Sequence, residues 1–121
     1  MYPPIFTAIA SDAAATAILG TSPTRLYPFG EAPQGTALPY AVWQVISGSP
    51  ENYLAGRPDI DGFTLQVDVY GDTGSSTTNA AAAIRDAIEL QAHITRWGGQ
   101  TRDDDTNRYR VSFDIHWLTH R

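Results

Sequence analysis

Two segments of the chain alternate between apolar and polar residues, which is the pattern of a β-strand with one buried face. In residues 63–70, the odd positions are Phe, Leu, Val and Val, and the even positions are Thr, Gln, Asp and Tyr. In residues 108–118, the odd positions from Tyr109 to Trp117 are apolar or aromatic. The residues that point the other way there are Arg110, Ser112, Asp114 and His116. Such strands require a layer packed on their apolar side, so the chain must build a covered sheet.

Helices are predicted before and between the strands. Residues 3–19 are rich in Ala and begin with two prolines, which favours a helix. Asp12 can cap a second short helix if the first breaks at Ser11. After a turn at 71–78, the chain is predicted to be helical to about Ala92, with Arg85 and Glu89 forming an (i, i+4) pair.

Further strands are predicted at residues 25–29, 40–47 and 94–97. The first contains Pro28, which cannot donate to a ladder, so this strand lies at a sheet edge or ends there. The fold class is therefore α+β, in the order α-β-β-β-α-β-β and with residues 1–121 forming a single domain. Two helices are expected on one face of a mostly antiparallel sheet of about four to five strands. The long connections expected between strands are residues 30–39, 48–62 and 98–107.

The strand at 40–47 is apolar on both faces, unlike the two alternating strands. Ala41, Trp43 and Val45 face one way. The residues predicted to face the other way are Tyr40, Val42 and Ile46. Soluble monomers rarely leave such a patch open, so we expect this second face to be covered. Either another chain covers it, or the N-terminal arm or the 48–62 loop folds over it.

Composition excludes several classes of chemistry. The chain has no cysteine, which excludes disulfides, thiolate nucleophiles and zinc sites that use sulfur. All eight basic residues are arginines, so the lysine of a P-loop and Schiff-base chemistry are absent as well. The net charge of −5 argues against a general nucleic-acid binder and against docking on an anionic membrane. No signal peptide or membrane span is expected in the first 19 residues.

Four local patterns suggest chemistry only weakly. Residues 71–76 are predicted to form a Gly-rich turn between a strand and a helix, which is where phosphate-binding loops lie. The lysine of such a loop is absent, so an ordinary turn with Ser75 or Ser76 as the helix cap is favoured. His116 and His120, with Asp114, have the spacing of a metal site on an exposed strand end, whereas His93 is expected to cap a helix. The acidic run 103–105 lacks the alternation of a calcium loop. No Gly-x-Ser-x-Gly elbow occurs. We therefore expect no enzyme, no metal and no cofactor.

The loop 48–61 is the most individual segment of the sequence. It carries Tyr53, Leu54 and Arg57, which are residue types that anchor protein interfaces. They lie among acidic residues that include Asp59 and Asp61. Loops of this length inside a compact domain are usually either functional or disordered. We therefore predict an interface formed by Tyr40, Val42, Ile46, Tyr53, Leu54, Arg57, Asp59 and Asp61.

Several motifs, taken in order, resemble the tail completion, or tail terminator, family of long-tailed bacteriophages and prophages. They are YPFGEAPQG at 27–35, PYAVWQ at 39–44, PENYL at 50–54, RPDID at 57–61 and LQVDVY at 65–70. The resemblance implies a structural virion protein that is assembled in the host cytoplasm and forms a hexameric ring on the head-proximal end of the tail tube. Such a ring ends tube growth and provides the surface that joins the head.

The partners that the resemblance implies are further copies of the chain, the tail tube protein and a head–tail connector protein. DNA would only pass through the lumen, and an acidic ring would not grip its phosphates. Two alternatives remain. A connector protein of the same virion would share the size and the ring habit. A small metal- or nucleotide-dependent enzyme would need the turn at 71–76, or His116 with His120, to act as a site.

Overall fold

A computed structural model describes residues 3–21, 23–51, 60–103 and 108–120. Within these ranges the chain forms three helices and five strands in the order α-α-β-β-β-α-β-β. The helices are α1 (Ile5–Ala10), α2 (Ala13–Leu19) and α3 (Gly74–Ile88). The strands are β1 (Leu26–Pro28), β2 (Tyr40–Glu51), β3 (Ile60–Gly71), β4 (Ala92–Asp103) and β5 (Arg108–His120).

The strands form one sheet in the spatial order β1-β2-β3-β5-β4. The pairing of β1 with β2 is parallel, and the other three pairings are antiparallel. This confirms the predicted α+β class and the mostly antiparallel sheet. It also confirms that β1, which ends at Pro28, lies at an edge. The other edge is β4, so the two lateral edges of the molecule are built from different sequences.

The core lies between the helices and the face of the sheet that the alternation predicts. Leu65 pairs with Ile115 and Val67 with Phe113, and all four side chains are fully buried. Residues that pair directly across an antiparallel ladder share a face, so these side chains form one apolar surface. α3 packs on that surface over β3 and β5, and α1 and α2 pack against α3.

The predicted first helix is two helices, so the described part of the chain has three helices where two were expected. The Asp12 side chain accepts a hydrogen bond from the Ala15 backbone N–H at 3.0 Å and caps α2. Because Asp12 is extended at the cap, the chain turns between α1 and α2. This turn buries Ile5 and Ile9 of α1 together with Ala15 and Leu19 of α2.

β1 is shorter than the predicted strand at 25–29, but the other four strands are longer than predicted, and the connections predicted at 48–62 and 98–107 are correspondingly shorter. β2 continues to Glu51 and β3 begins at Ile60, so much of the predicted 48–62 loop is a paired ladder. Residues 52–59 lie outside the described part of the chain. β4 extends into the predicted 98–107 connection, because it pairs with β5 as far as Asp103. The β4–β5 ladder contains two register shifts in β4, and Gly99 at the second shift has a φ of +99°.

The start of α3 depends on a close approach between Gly71 and Thr77. The cap is Thr73, whose side chain accepts from the Ser76 N–H at 3.0 Å, where Ser75 or Ser76 was expected. Thr77 is fully buried and donates its hydroxyl to the Thr73 carbonyl at 2.7 Å. A Cβ on Gly71 would overlap that hydroxyl and lie 3.1 Å from the Thr77 backbone nitrogen. Only glycine therefore lets β3 end this close to the helix.

This contact predicts different effects for alanine at two neighbouring glycines. Gly71→Ala should lower the free energy of unfolding by about 1–3 kcal/mol, because the added methyl group forces α3 away from the sheet. Gly74→Ala is the matched control: its Cβ would meet nothing closer than 4.0 Å, and alanine favours the helix. Urea unfolding followed by tryptophan fluorescence measures both. Equal stability of the two variants would contradict this account.

Candidate assembly surface

The sheet surface opposite the helices, which we call the open face, is built from rows of side chains that run across four strands. One row is Gln44, Gln66, Asp114 and Arg96, which pair in that order from β2 to β4. Its neighbours are the row Val42, Asp68, Ser112 and Gly99, and the row Tyr40, Tyr70, Arg110 and Thr101. The open face is therefore mainly polar in these rows, where Tyr40, Val42 and Tyr70 are its aromatic or apolar members. Leu118 of β5, which is 47% exposed, lies on the same face toward the end of that strand.

No helix of the described chain packs on the open face. The helices formed by residues 5–19 pack against α3, on the other side of the sheet. Residues 48–51 and 60–62 extend the sheet as paired strands, so these parts of the predicted loop do not fold over it. Within the described ranges, no other part of the chain forms a covering layer on the open face.

Charge on the open face is arranged in two levels. The Arg96 Nε donates to the Asp114 Oδ2 at 3.0 Å, and the Asp114 side chain is 12% exposed against 62% for Arg96. The Arg110 Nε lies 3.9 Å from the Asp68 Oδ1, and the side-chain exposures are 44% for Arg110 and 17% for Asp68. The carboxylates lie deep and the guanidinium groups lie above them. The open face thus presents arginines outward, although the whole chain is acidic.

Amide and hydroxyl groups link the buried acids across the sheet. The Gln66 Nε2 lies within hydrogen-bond distance of both the Asp68 Oδ1 and the Ser112 Oγ, at 3.3 Å each. The Gln44 Nε2 donates to the Gln66 Oε1 at 3.3 Å. The Asp114 Oδ1 is buried and has no hydrogen-bond partner among the described residues. These contacts fix the side chains of the open face in one arrangement, since a buried polar group is costly unless it is bonded.

A cluster of two tyrosines and one arginine lies at the end of the open face where β2 begins. The rings of Tyr40 and Tyr70 are stacked with their centroids 5.1 Å apart, and Arg108 donates to the Tyr40 hydroxyl at 3.0 Å. Burial raises the pKa of Tyr70, and the nearby Asp68 carboxylate raises it further. The phenol of Tyr70 is therefore held in its neutral form.

The structure places the predicted interface residues in different environments. Tyr40 is only 7% exposed because its own chain covers it, Val42 is half-buried, and Ile46 is 46% exposed beside the register shift in β2. The backbone of Asp61 lies in β3. Tyr53, Leu54, Arg57 and Asp59 lie outside the described residues. Their assignment to an interface stays a prediction.

The weak chemical patterns have simple structural explanations. In the turn at 71–76, the Thr73 oxygen already accepts from the Ser76 N–H, so that backbone donor is used within the chain. His93 lies in β4 and does not cap a helix, because the helix ends at Ile88. Its ring is 5.6 Å, between centroids, from that of His116 on β5. Asp103 ends β4, whereas Asp104 and Asp105 lie outside the described ranges.

No group of three or more His, Cys, Asp or Glu side chains in the described part of the chain is placed to hold a metal ion. None of its helices combines the length and the apolar character needed to cross a membrane.

Sequence reasoning found the strand positions of the open-face residues but not their arrangement. The alternation of side chains along a strand placed Arg110, Ser112 and Asp114 on the polar side of β5. Nothing in the local sequence showed that Arg96 would pair with Asp114, because the β4–β5 register depends on two shifts in β4. The outward arginine layer was missed for this reason.

Comparison with known proteins agrees with this architecture. A family model described as "Tail completion protein gp17" matches residues 3–120. A chain of the solved structure titled "Virion of native gene transfer agent (GTA) particle" superposes with a TM-score of 0.67. It is 15% identical, and the match covers 97% of this chain and 92% of that chain, so it shows a shared fold. No curated protein matches significantly.

The Arg96–Asp114 pair should contribute more to stability than an exposed ion pair does. Arg96→Ala leaves the buried carboxylate of Asp114 without its donor and should cost about 1–3 kcal/mol of unfolding free energy. The control is Arg85→Ala on α3, whose partners Asp86 and Glu89 are exposed, and it should cost about 0–1 kcal/mol.

A double-mutant cycle makes this test specific. Urea unfolding of Arg96→Ala, Asp114→Ala and the double variant should show that the two single losses do not add. Additive losses would mean that the two side chains act independently.

Alkaline pH should destabilise the fold partly through Tyr70. Because its pKa is raised above the usual 10.0, the folded chain keeps this proton to higher pH than the unfolded chain does. Tyr70 makes its full stabilising contribution at pH values below its pKa in the unfolded chain. That contribution is lost as the pH rises through the pKa of Tyr70 in the folded chain. The unfolding free energy is measured from pH 8 to pH 12, a range of about two units on either side of the pKa of a free tyrosine. It should fall less steeply with pH in Tyr70→Phe than in the natural chain. The same slope in Tyr70→Phe and in the control Tyr27→Phe, on β1, would contradict this.

Proposed function

The chain belongs to the family of the tail completion protein gp17, and we propose from this that it forms a homo-hexameric ring on the head-proximal end of the phage tail tube. It is a structural component of the virion tail. In the proposed role, the ring ends growth of the tube and provides the surface to which the head joins. The observation that carries the proposal is the family match over residues 3–120, which also supports a single domain across 1–121.

The architecture supports assembly into a ring. A closed ring of identical copies joins one surface of each copy to a different surface of the next. The chain offers such a pair, because the sheet has β1 at one edge and β4 at the other. The long ladders of β2 with β3 and of β4 with β5 make the sheet a stiff plate that holds these two edges apart.

The remaining contacts follow from the same role. One end of the ring would meet the tail tube protein and the other a head–tail connector protein. The proposed contact to one of these layers is the connection between β2 and β3, with Tyr53, Leu54, Arg57 and Asp59, together with Asp61 near the start of β3. DNA passes through the lumen in this scheme. Assembly takes place in the host cytoplasm.

Tail length in particles that lack this protein tests the role. Deleting its gene should give tails of variable, excessive length that carry no heads, and supplying the gene in trans should restore uniform, joined tails. Negative-stain electron microscopy measures both properties. Tails of normal length without heads would instead indicate the head–tail connector role, and normal joined particles would overturn both.

A further inference from the structure

We propose that neighbouring copies in the ring join through an aromatic knob on one edge of the helix-covered side and an apolar groove on the other. The knob is Phe29, which follows β1. The groove lies between α3 and β4. This inference rests on the proposed ring and names the contact that would close it.

The knob is an exposed phenylalanine at the β1 edge. Phe29 is 67% exposed, although its residue type is usually buried. It lies with Pro28, Trp43 and Val45 around a recess of about 480 Å³. Trp43 and Val45 pack against the core, so the base under Phe29 is rigid.

The groove lies at the opposite edge of the sheet and on the same side as the knob. It has a volume of about 390 Å³, and its floor consists of Ala81, Ala82 and Val111. Trp97 lines it, 49% exposed, and is held against Phe113 with ring centroids 5.1 Å apart. Small side chains on α3 leave this space open, and its size and apolar floor suit one aromatic ring.

Charge beside the knob complements charge beside the groove. Glu31 is exposed and lines the recess next to Phe29. Arg85 lines the groove, and its partners within the chain, Asp86 and Glu89, are themselves 66% and 50% exposed. Such exposed pairs are weak, so Arg85 can turn to a carboxylate on a neighbouring copy. Glu31 of one copy then pairs with Arg85 of the next.

The occupant of the groove is thus a second copy of this chain. Phe29 cannot fill the groove of its own molecule, because three strands (β2, β3 and β5) separate β1 from β4 in the sheet. A head-to-tail contact between these edges repeats around a ring until it closes. The contact is of the kind that carries most interface energy, an aromatic side chain in a pocket.

Mixing two defective copies tests the head-to-tail arrangement. Phe29→Ala removes the knob and Ala82→Trp fills the groove, and each variant alone should associate at least about 30-fold more weakly than the natural chain. Mixed together, they should form a one-to-one dimer and nothing larger, because only one intact knob and one intact groove remain. Phe6→Ala, at a 47% exposed phenylalanine on α1, is the control and should assemble normally. Light scattering measures the size of the assemblies, and circular dichroism checks that each variant is folded.

A charge exchange gives a second readout that leaves Phe29, Ala81, Ala82 and Val111 unchanged. Glu31→Arg and Arg85→Glu should each weaken association, and the double variant should recover it. Failure of recovery, or normal association of Phe29→Ala, would overturn the contact.

Cross-linking in assembled particles separates this inference from the proposed function. The chain has no cysteine, so Glu31→Cys with Arg85→Cys introduces the only thiols. A short bismaleimide should link them between copies into a ladder that ends at the ring size, whereas Leu90→Cys with Glu31→Cys should not. A ring seen in particles without this ladder would overturn the contact and leave the ring. Particles that contain no ring of this protein would overturn the proposed function itself.

Discussion

The pairing of β3 with β5 is the constraint on which the rest of the structure depends. Its register places Leu65 opposite Ile115 and Val67 opposite Phe113, so the apolar positions of two distant segments form one surface. A shift of one residue would turn every one of these side chains to the other face. α3 must then pack on this surface, and Gly71 lets the chain pass from β3 into that helix without a steric clash.

The same register creates the open face. Because side chains alternate along a strand, fixing the apolar face also fixes Gln66, Asp68, Ser112 and Asp114 on the opposite side. The two acids there form ion pairs with arginines from β4 and β5, whose long side chains are more exposed than the carboxylates. The chain as a whole has a net charge of −5, but in the ion pairs of this face the more exposed groups are arginines.

The lateral edges serve a different purpose from the two faces. β1 is short and ends in Pro28, whereas β4 is long, with two register shifts and a glycine at positive φ. Such features discourage simple strand-to-strand pairing at an edge. Side-chain contacts on the helix-covered side are then the better means of joining copies, and the exposed Phe29 and Trp97 lie there. In the proposed ring, these two unlike edges would carry the contacts between neighbouring copies.

The sequence alone determined the alternating strands, the α+β class, the edge position of β1 and the resemblance to tail completion proteins. These properties follow from short-range patterns: period-two alternation, helix formers, prolines, and motifs in order. The tertiary structure decided how far β2 and β4 extend, because a polar segment such as 98–103 becomes a strand only when β5 offers a ladder. It also decided that Arg96 meets Asp114, and that Phe29 and the α3–β4 groove lie at opposite edges. Those relations join residues far apart in the chain, so they depend on register and strand order, which no local pattern encodes.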